Sequence, residues 1–81
     1  MPGNEVLEKV MDVTASVLNV DRGQITPESN FVFDLGAESV QSIQLISAFE
    51  EAFHVEMDPD QALDVQTVQA AAEFIERHLK T

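Results

Sequence analysis

Few side chains in this sequence can do covalent chemistry. There is no cysteine, and there are two histidines. Disulfides, thiolate metal sites and a protein thiol nucleophile are therefore excluded. The hydroxyl that stands out is Ser39, near the end of the run Phe31-Val32-Phe33-Asp34-Leu35-Gly36-Ala37-Glu38-Ser39-Val40. As a hydrolytic nucleophile it would need a base beside it. His54 and His78 stand alone in the sequence and read as surface or helix-end residues. Pairs such as Glu50-Glu51 read as solvated charges on helix faces. Asp58, Asp60 and Asp64 invite a calcium loop, which requires glycine at its sixth position and glutamate at its twelfth. Counted from Asp58, those positions hold Leu63 and Gln69. Neither a catalytic residue nor a metal site is expected. What remains is a hydroxyl where a loop gives way to a helix. Free N–H groups and the dipole at a helix N-terminus stabilise an anion, so a phosphoryl group esterified to Ser39 would be well placed. The competing account is that Ser39 merely caps the helix. From the serine alone, that account is the better one.

The elements that position Ser39 follow from hydrophobic spacing. A first helix is expected from about Glu5 to Leu18, with Asn4 as its cap. Val6, Leu7, Val10, Val13, Thr14, Val17 and Leu18 lie on one face, and Glu5, Glu8, Lys9, Asp12 and Ser16 on the other. From Asn19 to Glu38 the periodicity is lost among turn residues. Val20, Ile25, Phe31, Phe33 and Leu35 are expected to pin this long loop to the core. A second helix is expected from Ser39 to Phe53, burying Leu45, Ile46, Phe49 and Phe53 with Ile43 at the border. Val40 falls on the opposite, polar face with Gln44, Ser47 and Glu51, which makes it a candidate contact point. One short turn follows, with Asp58 as cap and Pro59 at the first helical position. A last helix runs from about Thr67 to Leu79, with Asp64 or Thr67 as cap and Val68, Ala71, Ala72, Ile75 and Leu79 inward. The expected architecture is all-α: a small four-helix bundle of three main helices and one short one, with a long loop between the first two.

The 81 residues read as a single domain, 1–81. Fifteen acidic residues against four basic ones give a formal net charge of -11. Such a field repels nucleic acid and attracts proteins with basic patches. At 44% hydrophobic residues, the composition is not that of a disordered acidic tail. No run is apolar enough for membrane insertion, and Met1-Pro2-Gly3-Asn4-Glu5 lacks the pattern of a secretory leader. The expected location is cytoplasmic and the expected state monomeric.

Phe31-x-x-Asp34-Leu35-Gly36-Ala37-Glu38-Ser39-Val40, continued by Ile43-x-Leu45-Ile46-x-x-Phe49-Glu50-Glu51-x-Phe53, closely resembles the acyl carrier protein family. Thr26-Pro27-Glu28-Ser29 and Thr67-Val68-Gln69-Ala70-Ala71 match that family too, so the resemblance covers nearly the whole chain. It implies a non-enzymatic carrier. A separate phosphopantetheinyl transferase would link 4'-phosphopantetheine from coenzyme A to Ser39, within a motif that includes Asp34, Gly36 and Glu38. Acyl intermediates would travel as thioesters to enzymes of fatty-acid, polyketide or related biosynthesis. Those enzymes would read Glu38, Val40, Gln41, Gln44, Ser47, Glu50, Glu51 and Glu56 through basic patches. The alternative is an unmodified acidic helical interaction domain that binds a basic partner, with Ser39 only a cap.

The departures from the family lie beside the serine. Val40 replaces the usual leucine, and Gln41 and Gln44 stand where acids are usual. Ser47 replaces an exposed apolar residue, and Met57-Asp58-Pro59-Asp60 shifts the usual proline. Together they imply a specialised carrier rather than the housekeeping one. Phe49, larger than the usual aliphatic residue facing the cleft between the second helix and the short one, implies less room for a sequestered acyl chain. Gly36-Ala37 favours an acyl or polyketide carrier over a peptidyl one.

Overall fold

The computed structural model describes residues 2–79. Its elements are α1 (Pro2–Leu18), a 3-10 turn (Arg22–Gln24), α2 (Ser39–Phe53), α3 (Pro59–Leu63) and α4 (Val68–Leu79). α1 packs against both α2 and α4, and α3 lies against α2. Among the described residues there is no strand; Asn30 and Thr67 form an isolated antiparallel bridge. Met1, part of the N-terminal stretch read above, lies outside the described residues.

Periodicity explains the helices. On α1, Val10, Thr14 and Leu18 are buried, while Glu5, Glu8, Lys9, Asp12 and Ser16 are exposed. Thr14 is tolerated at zero exposure because its Oγ1 donates to the Val10 carbonyl at 2.7 Å. Met11, which the face reading left out, is also buried. α1 starts at Pro2 rather than at about Glu5; the Asn4 side chain, expected as the cap, lies outside the described residues. On α4, Val68, Ala71, Ala72 and Ile75 are buried as expected, but Leu79 is 45% exposed at the helix end. Thr67 is the α4 cap, its Oγ1 accepting from Ala70 N–H at 3.1 Å.

α1 and α2 end alike. Asn19 (φ 56°) and His54 (φ 57°) take the left-handed conformation. The next N–H in each case reaches back five residues, from Val20 to Ala15 and from Val55 to Glu50. His54 is thus a helix-end residue.

The long loop is ordered by α4. Phe31 N–H donates to the Gln66 carbonyl at 2.9 Å. In return, Val68 and Gln69 N–H donate to the Ser29 and Pro27 carbonyls at 3.0 and 2.9 Å. The first turn of α4 has N–H groups with no helical partner, and the loop supplies acceptors for them. Ile25, Phe31 and Ala37 complete the anchoring as buried side chains, with Val20 and Leu35 half-buried. Phe33 corrects the expectation. It is 85% exposed and pins nothing to the core.

The described ion pairs run from Arg22 to Glu8 (3.1 Å) and Asp12 (2.8 Å), all on the surface. Each contributes about 0–1 kcal/mol. Repulsion within a net charge of -11 is the larger electrostatic effect. Moderate MgCl₂ should therefore raise the melting temperature, although it also screens the Arg22 pairs. An unchanged or lower value in calorimetry would count against this ranking.

Candidate functional site

The loop before Ser39 is built on Asn30. Its side-chain oxygen accepts from Val32 and Phe33 N–H, both at 2.9 Å. Its own N–H donates to Asp34 Oδ2 at 2.7 Å. Its carbonyl accepts from Asp34 and Leu35 N–H at 2.9 and 3.0 Å. Asp34 is thus a loop brace. Two further bonds, Gly36 N–H to Val32 (3.1 Å) and Ala37 N–H to Phe31 (2.8 Å), close the turn. In the sequence Asn30 reads only as one of the loop's turn residues. The available signal was an Asn with an Asp four residues later, a spacing that lets the Asn side chain accept from intervening N–H groups while the Asp carboxylate reaches back to the Asn N–H.

Gly36 has φ +74°. A Cβ there would meet nothing within 4 Å, so conformation rather than space requires glycine. Gly36→Ala should cost about 1–2 kcal/mol through that strain, with α2 otherwise intact. A chemical-denaturation midpoint equal to wild type would refute this.

Glu38 is the α2 N-cap, in extended conformation (φ -86°, ψ 168°). Its N–H donates to Gln41 Oε1 at 3.0 Å, the backward arm of a capping box. Ser39 is therefore the first helical residue and not the cap. Its side chain is exposed, and its hydroxyl has no hydrogen-bond partner among the described residues. The first-turn N–H groups of α2 lie beside it, where an anion is stabilised. A phosphodiester on Ser39 fits this setting, since no other group occupies the hydroxyl.

His54 is at the opposite end of the 15-residue α2, about 20 Å from Ser39 at 1.5 Å per residue. His78 lies in the last turn of α4, its Nδ1 2.9 Å from the Phe74 carbonyl. His54 is therefore too far from Ser39 to act as its base. No three His, Cys, Asp or Glu side chains among the described residues converge to hold a metal ion.

The other surface residues named from the sequence are divided by the structure. Val40 is 64% exposed, and Gln44, Ser47, Glu51 and Glu56 are also exposed. Gln41 is half-buried and serves the cap. Glu50 is half-buried, and its Oε2 accepts from Met57 N–H at 2.9 Å, tying α2 to the segment before α3. From Gly23 to Glu76 the chain has no lysine or arginine, so α2 and its flanking segments carry only acidic charge of their own; the Lys9 ammonium of α1 lies over the Phe53 ring at the far end of α2, 5.1 Å from its centroid. Beside α2 lies an apolar cavity of about 270 Å³, lined by Phe31, Leu45, Ile46, Phe49, Met57 and Ile75 among others.

The phosphopantetheine attachment site family matches residues 8–75. The acyl carrier protein of Guillardia theta is 40% identical over 75 residues, covering 93% of this chain and 93% of that protein. The chain belongs to the acyl carrier protein family. Acyl carrier proteins are carriers rather than enzymes, and they interact with biosynthetic enzymes. The prosthetic group of this family is phosphopantetheine. No described helix is long and apolar enough to cross a membrane.

Proposed function

We infer that Ser39 is the phosphopantetheine attachment residue. The observation that carries this is the division of labour at the start of α2. Glu38 and Gln41 manage the cap, leaving the Ser39 hydroxyl exposed and without a partner. The arm, when attached, supplies a thiol that holds acyl groups as thioesters, which this cysteine-free chain cannot do by itself. The residues around it act by position. The Asn30–Asp34 brace and Gly36 hold the loop, and the first-turn N–H groups of α2 offset the phosphodiester charge. Tethering raises the effective concentration of the cargo at partner active sites.

The enzymes that load and process the cargo dock on the acidic surface around α2 through basic patches, the carrier acting as a monomer. The thinned charge at Gln41 and Gln44 is in keeping with a specialised carrier. The test is to incubate the apo protein with coenzyme A, Mg²⁺ and a broad-specificity phosphopantetheinyl transferase and to weigh the product. The Ser39 Oγ bonds to the phosphorus of the arm as the pyrophosphate link of coenzyme A breaks, adenosine 3',5'-bisphosphate leaving and the hydroxyl proton passing to a base of the transferase. A gain of one arm is expected, and no gain would overturn the assignment.

A further inference from the structure

Phe33 is the most exposed large apolar side chain among the described residues. Exposure of a single apolar residue is ordinary, but here it is neither isolated nor loosely held. Val32, Val40 and Ile43 are also more than half exposed. Val40 follows Ser39 directly, and Ile43 lies one turn along the same side of α2 as Ser39. Phe33 borders the cavity beside α2 together with Ser42, three residues beyond Ser39. Exposed apolar side chains are thus found both next to Ser39 in the chain and on the rim of a cavity that reaches α2 one turn beyond it.

The loop that presents Phe33 is braced. Its N–H is bonded to Asn30 Oδ1, and the next residue, Asp34, is bonded to Asn30 through both side chain and backbone. Leaving a phenyl ring in water gains nothing for folding. A loop whose backbone is already braced loses little freedom on binding, so only the side-chain torsions of the ring remain to be ordered, and aromatic anchors contribute heavily to interface energies. The neighbouring charges are Asp34 and Glu38, with no lysine or arginine from Gly23 to Glu76. The complementary surface is an apolar pocket rimmed by lysine or arginine.

The choice of partner follows from reach. Enzymes that use the arm can act at its length from the protein. The enzyme that modifies Ser39 must bring its catalytic groups within hydrogen-bond distance of Oγ, so it must cover the surface next to it. Building on the assignment of Ser39 above, we propose that Phe33 is a specificity-determining anchor that docks in such a pocket on the phosphopantetheinyl transferase. Asn30 is the positioning residue behind it.

The test is steady-state modification with coenzyme A, Mg²⁺ and a broad-specificity transferase, varying the concentration of carrier. Phe33→Ala should raise KM by about tenfold or more with kcat unchanged, the pattern of lost binding. Phe33→Leu, which keeps apolar bulk, should stay within about threefold of wild type. Because the ring is exposed, both variants should melt with wild-type protein. Wild-type kinetics in Phe33→Ala would overturn the proposal, as would a loss confined to kcat. Failure of wild-type protein to be modified at all would instead overturn the Ser39 assignment beneath it.

Discussion

Ser39→Ala protein should gain no mass from coenzyme A and the transferase, while folding as well as wild type. The two halves of this result have separate causes. Loss of modification is complete because the hydroxyl is the group esterified. Stability is kept because Ser39 is exposed at the first helical position of α2, where alanine is a good helix former. The cap on Glu38 and Gln41 is untouched. The expected change is within about 0.5 kcal/mol. Were Ser39 the cap, the same substitution would cost about 0.5–2 kcal/mol, or several degrees of melting temperature in a chain this short. A mass measurement and a thermal melt on one variant therefore test both accounts of the serine. A stable variant that still gains the arm would place the attachment elsewhere.

The largest loss of stability is expected from Phe49→Ala. Phe49 is 5% exposed and belongs to the main hydrophobic cluster. Truncating a buried phenylalanine costs about 3–5 kcal/mol. Phe49 already borders the cavity of about 270 Å³, so that side of the ring has fewer partners to lose. The cost should fall near the lower end, about 3 kcal/mol. That remains a large share of the roughly 4–12 kcal/mol expected for a chain of this length. The urea midpoint should fall with the slope unchanged. Phe49→Leu should lose less and leave more room beside α2. A Phe49→Ala midpoint within error of wild type would show that the cavity wall is not part of the cooperative core.

The helices were legible in the sequence because burial on a helix obeys a fixed period. The span Ser39–Phe53 and its buried pair Leu45 and Phe49 came directly from that period. So did Val68, Ala71, Ala72 and Ile75 on α4. Asp58 with Pro59, and Thr67, were legible for a different reason: a cap depends on local chemistry at a known boundary. The failures cluster where neither rule applies. Phe33 reads as a core anchor because it is aromatic and lies in an apolar stretch. In irregular backbone, side-chain direction depends on each turn, and Asn30 turns this one outward. Leu79 continued the period of α4 beyond the elements that could cover it. Met11 was missed because α1 is sandwiched between α2 and α4, which widens its buried face.

Sequence alone settled the helical architecture, the acidic character and the family resemblance, and it singled out Ser39 at a loop-to-helix junction. Each of these depends on residue type and short-range spacing. Only the tertiary structure decided what the junction does with its serine. The loop is hydrogen-bonded to the start of α4, braced by Asn30 and turned at Gly36, and this brings Glu38 to the junction in an extended conformation. Glu38 thereby becomes the cap, Gln41 its partner, and Ser39 an exposed first helical residue. The physical reason is that a cap is defined by the backbone angles at one residue, and here the loop that leads to it is held by contacts between residues far apart in the chain, such as Phe31 with Gln66.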